Sequence, residues 1–215
     1  MSKASEPLSQ LEGFEGLWTV QRGNLRCTAI RLATGGVCLY SPVEKLSSEF
    51  ARLAPVRFLF APNHYHNKAI PEYADAFPDA RLISGAEAGP RLEKITSCKF
   101  EGLEGLKAGL PEHVSLVQPD GLKTGEIWLR VEGSAGIAWV VTDAFCGLKA
   151  VKQEEAALGF LKTFPKYGIQ NADRFASWVR DRAEEDAPML VLPCHGSVVS
   201  GPNLKSDILA LLDRL

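Results

Sequence analysis

Apolar residues recur along the chain in two rhythms, short continuous or alternating runs and longer stretches with a helical period. Residues 17–21, 27–32 and 37–40 are short apolar runs, with Gly23-Asn24 and Gly35-Gly36 as turn signals between them, so an opening meander of three strands is predicted. Ser41-Pro42-Val43-Glu44 has the form of a capping box with Pro at the first helical position. Val43, Leu46, Phe50 and Leu53 then follow on one helical face, and Pro55 ends that helix. Residues 56–60 form a strand apolar enough to be covered on both faces. A short helix is predicted over 70–77, opened by Pro71, then a strand over 80–83 and a helix over 86–95, against which Pro90 counts. The Gly-rich stretch 96–112 predicts no element. Strands are predicted over 114–117, 127–131, 136–142 and 189–193, and helices over 153–164, 172–185 and 204–215. Strands and helices so alternated suggest an α/β protein, either sheet packed on sheet with helices outside or an open sheet with antiparallel parts.

Composition narrows the class. The 215 residues are 46% hydrophobic and 23% charged, as in a soluble globular protein with one good core. No Pro/Ser-rich linker divides the chain, so a single domain over 1–215 is expected. A net charge of −2 gives no reason to expect nucleic acid or an anionic membrane as partner. No apolar run is long enough to span a bilayer, and residues 1–6 lack an apolar export core. The five cysteines are odd in number and scattered, which argues against a disulfide framework and for a reducing, cytoplasmic setting. Oligomeric state is not legible.

Candidate chemistry gathers at three strand ends. Asn63-His64-Tyr65-His66 follows the strand at 56–60 and holds two of only four histidines. Side chains at i and i+2 of an extended or turning segment point the same way, so His64 and His66 are expected to converge. Neutral imidazole is the commonest protein ligand for a metal. Asp143 follows the apolar run 136–142, and Pro193-Cys194-His195-Gly196 closes the last strand. Taken singly, each of these is as well explained by a turn or a cap. Cys146 and Cys194 are expected to be small, inert, buried residues. His113 is expected on a surface loop, the four tryptophans in the core, and the charged run 180–186 on the solvated face and frayed end of a helix.

Taken together, these residues resemble the pattern of the metallo-β-lactamase superfamily. That pattern is an opening meander, a strand ending in His-x-His-x-Asp-His, a Gly-His turn, a strand ending in a bridging Asp and a last strand ending in Gly-His. His64 and His66 match the first two histidines, Asp143 the bridging acid and His195 the last histidine. The resemblance runs from about Leu17 to Gly196 and implies a four-layer αββα sandwich, two mixed sheets flanked by helices. It departs at three ligand positions, where Lys68, Ala69 and Leu122 stand.

The resemblance implies a metal-dependent hydrolase of a small molecule with at most one metal ion. His64, His66, Asp143 and His195 are its candidate ligands, for zinc, iron or manganese. Tyr65 and Asn67 are candidates to position substrate. Lys68, a cation where the family has an acid, is expected to pair with Asp143 and to supply part of the charge of the missing ion. The competing account is a non-catalytic pseudoenzyme or small-molecule binding protein without metal. A non-haem iron oxidoreductase is a third class, whose members retain nearly all ligands.

Overall fold

The computed structural model describes residues 7–148 and 156–215. In chain order these form β1 (Ser9–Gln10), β2 (Leu17–Arg22), β3 (Leu25–Arg31), β4 (Val37–Tyr40), α1 (Ser47–Phe50), β5 (Val56–Ala61), α2 (Ile70–Ala76), β6 (Arg81–Ser84), α3 (Gly89–Thr96) and α4 (Glu104–Gly109). There follow β7 (Val114–Val117), β8 (Trp128–Gly133), β9 (Gly136–Val141), β10 (Cys146–Leu148), β11 (Ala157–Gly159), α5 (Phe164–Tyr167), α6 (Ala172–Asp186), β12 (Leu190–Pro193), β13 (Val199–Ser200) and α7 (Leu204–Leu212). The first sheet runs β1-β2-β3-β4-β5-β6, with β4, β5 and β6 parallel and the opening meander antiparallel. The second runs β13-β12-β9-β8-β7, with β12 and β9 parallel. β10 and β11 make a separate two-stranded ribbon.

Alternating side chains within the strands build the layers. Tyr40, Phe58, Phe60, Leu129, Val131, Val140 and Leu192 meet between the two sheets in one core cluster. Their neighbours of opposite parity face outward. Leu39 and Leu59 pack on Phe50 of α1 and Tyr73 of α2. Trp128, Trp139, Val141 and Val191 pack on Phe175 and Val179 of α6 and Ile208 of α7. Helices thus cover the outer face of each sheet, and the architecture is the four-layer αββα sandwich. The Tyr40 hydroxyl ties the sheets together by donating to the Ile127 carbonyl at 2.8 Å.

The structure corrects the sequence reading at five points. The expected capping box does not cap. Ser41 has a left-handed backbone (φ 56°), and the first helix is only Ser47–Phe50. A distant acid holds this segment instead: Glu72 accepts from the Lys45 backbone N–H at 3.0 Å and from the Ser47 hydroxyl at 3.1 Å. Pro90 begins α3 rather than weakening it, because the first turn has no use for its missing N–H. The stretch 96–112 contains α4. Of the helix expected over 153–164, residues 153–155 lie outside those described, and the rest is strand β11 followed by a turn into α5. Finally, Asp186 is not a solvated helix end. It is buried, accepting from Trp139 Nε1 at 2.8 Å and Arg130 Nε at 2.6 Å, as a buried carboxylate must to offset its desolvation.

Candidate metal centre

Strand register places the acid and one histidine. β9 and β12 are parallel neighbours with Val141 opposite Pro193. Asp143 and His195 each stand two residues past those partners, so they emerge side by side at one sheet edge. The Cys194 backbone N–H donates to the Val141 carbonyl at 2.9 Å and fixes that alignment. His66 comes from the other sheet, beyond the end of β5. The first sheet reaches the same point through β3, where Arg26 N–H donates to the Cys194 carbonyl at 2.9 Å. Two glycines allow the final approach. A Cβ on Gly147 would stand 1.9 Å from the Ser197 carbonyl, and one on Gly196, whose φ is +81°, would stand 2.2 Å from the Gly147 carbonyl.

His66 Nε2 and His195 Nε2 lie 3.3 and 3.0 Å from the same oxygen, Asp143 Oδ1. One donor atom from each of the three residues lies within 4.8 Å of the others, with both rings and the carboxylate half-buried. The electrostatics follow from this crowding. Burial pulls the His66 imidazole down, but the Asp143 charge and hydrogen bond, with the Glu126 charge, outweigh it and leave His66 above its ordinary range. Burial pushes Asp143 up, but the two imidazoles outweigh it and hold the carboxyl well below the usual carboxylate range.

Residues that the sequence does not advertise hold this cluster. Asn63 donates from Nδ2 to Asp143 Oδ2 at 2.8 Å and to Thr142 Oγ1 at 3.0 Å. Its Oδ1 accepts the backbone N–H of Tyr65 at 2.8 Å and of His66 at 3.2 Å. One side chain therefore ties the His66 turn to the acid. Beneath them lies the buried carboxylate of Glu126. It accepts the consecutive backbone N–H groups of Thr142, Asp143 and Ala144 at 3.0, 3.1 and 3.3 Å, and Trp128 Nε1 at 2.8 Å. Burial and the Asp143 charge raise the Glu126 carboxyl, against the donors from Thr142 and Trp128. Ser41 Oγ lies 2.5 Å from His66 Nδ1, which turns Nε2 toward the cluster. The only sequence signal for this shell is the Asn that precedes the histidines.

His64 does not join the group. The Asn63 side chain folds 63–66 into a turn, with the His66 N–H also 3.3 Å from the Asn63 carbonyl, so i and i+2 no longer share a direction. His64 is buried against Tyr65, ring centroids 4.3 Å apart, and its Nε2 has no hydrogen-bond partner. Burial and the Arg91 guanidinium hold it below the ordinary histidine range, against the pull of Asp143.

A scan of the sequence against protein-family models gives no match, and a search of curated proteins gives none. Solved structures give many. A metallo-β-lactamase from Erythrobacter litoralis superposes with a TM-score of 0.62 at 13% identity, over 99% of this chain and 96% of that one. The metallo-β-lactamase FIM-1 from Pseudomonas aeruginosa, in a mono-zinc form, gives 0.60 at 12% over 97% and 96%. The Flv1 flavodiiron core from Synechocystis sp. PCC6803 gives 0.64 at 10% over 99% of this chain and 62% of that chain. The fold is that of the metallo-β-lactamases.

Within the metallo-β-lactamase fold, the departures noted in the sequence take definite physical forms. Ala69 and Leu122 are buried core residues, in the clusters of α2 and α6 respectively. Lys68 is exposed and lines the cleft beside His66 and Asp143. The expected Lys68–Asp143 pair is not formed; among the described residues the ion pairs of Asp143 are with His66 and His195. Tyr65 and Asn67 line the same cleft. Burial pushes the thiols of Cys194 and Cys146 up, so neither is a ready nucleophile. His113 is exposed, as expected. No helix among the described residues is long and apolar enough to cross a membrane.

Proposed function

We propose that this protein is a hydrolase that uses one metal ion held by His66, Asp143 and His195. The observation that carries the reading is the convergence of those three donors, with His66 oriented by Ser41 and Asp143 by Asn63. Two imidazoles and a carboxylate that leave further coordination positions open are the donor set of a catalytic rather than a structural site. The Ser41 contact at His66 Nδ1 is the outer-shell bond that ligating histidines generally make. Zinc, iron and manganese all accept mixed nitrogen and oxygen donors. The mono-zinc form of FIM-1 gives a precedent in the same fold for a single ion. A second ion has no support from Ala69 or Leu122, which are apolar, nor from Lys68, which is cationic.

An ion in this position supplies Lewis acidity, toward water and toward a carbonyl or phosphoryl oxygen. The chain does the rest. Asn63 and Glu126 fix the Asp143 loop, Ser41 fixes the His66 ring, and Tyr65 and Asn67 bound the cleft that receives substrate. Lys68, exposed at the rim of that cleft, is placed to neutralise negative charge that develops on a substrate oxygen.

The test is hydrolysis of p-nitrophenyl hexanoate by zinc-loaded protein. Activity is expected to vanish on chelation. It should fall by at least the roughly 100-fold that outer-shell losses reach in His66→Ala and Asp143→Asn, while folded His64→Ala retains it. Equal losses in all three variants would restore His64 to the site, and activity indifferent to chelator would remove the metal from it.

A further inference from the structure

Two clefts meet at the candidate metal centre, and they differ in character. The first sets the charged Glu44 and Lys68 beside the apolar Leu25, Pro42 and Val43. The second is a cavity of about 480 Å³ between Tyr65 and the segment 161–168, with Leu161, Phe164 and Tyr167 as its apolar walls. Tyr65, Asp143 and His195 line both, so the donor cluster sits at the junction. The second cavity falls in the size range of ordinary ligand pockets.

The rim of the site is apolar as well. Seven large hydrophobic side chains are exposed among the described residues, and Leu25, Tyr65 and Tyr167 line the two clefts. Leu148 stands next to Gly147, which pairs with Gly196 immediately after His195. Four of the seven therefore gather around one site, whereas scattered single hydrophobics would need no explanation. The walls are also braced from behind. Phe164 stacks on Phe160 and packs edge-on against Phe175 of α6, with centroids 5.8 and 5.7 Å apart. A preformed apolar wall of this kind takes up an apolar group without first having to be ordered.

We infer that the cavity between Tyr65 and residues 161–168 binds an alkyl or aryl group of the substrate, so that the scissile bond lies at its inner end beside Asp143 and His195. The substrates are then esters or amides with a sizeable apolar acyl part, and small acetyl compounds are poor ones. This rests on the hydrolase reading above, and the experiment separates the two.

Zinc-loaded protein is given p-nitrophenyl acetate, butyrate, hexanoate and octanoate. Binding of the neutral fluorophore N-phenyl-1-naphthylamine is measured in parallel on metal-free protein. kcat/KM is expected to rise by about fourfold per methylene, the worth of one buried CH₂. In Leu161→Glu and Tyr167→Ser, both checked for an unchanged melting temperature, that slope should flatten and the fluorophore should bind more weakly. A rate independent of chain length, or a slope that neither variant alters, overturns the cavity assignment and leaves the hydrolase standing. No turnover of any ester, with fluorophore binding that both variants abolish, keeps the cavity and removes the hydrolase. Neither turnover nor binding removes both.

Discussion

Asn63 makes more of this site than any residue the sequence singles out. Its amide reaches Asp143 on one side and the His66 turn on the other. That turn is why the sequence reading of the first pair of histidines fails. An i, i+2 argument needs an extended backbone, and the Asn63 carbonyl oxygen of the side chain curls it instead. His64 is left buried and held below the ordinary histidine range, and Leu122 fills core space. Glu126 was illegible for a different reason: a lone Glu before a strand looks solvated, and only the fold shows three backbone N–H groups closing on it. Replacing it tests its part in holding Asp143. Glu126→Gln turns an acceptor of N–H donors into a group that is half donor, so the 142–144 loop should loosen. Zinc affinity by calorimetry is expected to fall about 10- to 100-fold; an unchanged Kd would show that Asp143 needs no such support. The charges also predict a pH dependence for the chelated protein. Asp143, held low, stabilises the fold above the unfolded carboxyl pKa of about 3.9 and ceases to as pH falls through its folded value. His66, held high, stabilises it below the unfolded value of about 6.5 and ceases to as pH rises through its folded value. The melting temperature of wild type relative to Asp143→Asn should therefore peak between about pH 4 and 6.5. A difference that does not decline on either side of that range would mean that the pair carries no coupled charge.

Elements were more legible than site residues where the apolar pattern was continuous. β5, β9 and β12 are runs with both faces covered, so period and burial agree. The positions of Asp143 and His195 followed from those runs, because each stands at a strand end that the sequence locates. The failures fall where a long-range partner decides. Glu72, not the local Ser41, orders residues 45–47, which freed Ser41 to meet His66. β11 exists because β10 pairs with it, Cys146 opposite Gly159, and a helical reading of its spacing could not foresee that partner. The crossing of β10 with the loop after β12 is the tightest joint beside the site. Gly147→Ala should destabilise the protein by about 2–3 kcal/mol in urea unfolding, since the Cβ meets a backbone carbonyl that cannot give way. Wild-type stability in that variant would mean that the loops are not packed as described.

At the scale of the whole molecule, the two sheets exist to bring separate strand ends to one edge. Each sheet contributes what the other lacks: the first supplies His66 with Ser41 and Asn63, the second Asp143, His195 and Glu126. A metal ion bound there would stitch the sheets together, and its free energy of binding would add to that of folding. Zinc at a hundredfold excess over its Kd should stabilise the protein by about 2.7 kcal/mol, seen as a rise in melting temperature that chelator reverses. The most direct test of the account is calorimetric titration of zinc into metal-free protein. One equivalent is predicted per chain, lost in His66→Ala, Asp143→Asn and His195→Ala and kept in His64→Ala. Two equivalents, or no binding at all, would contradict it.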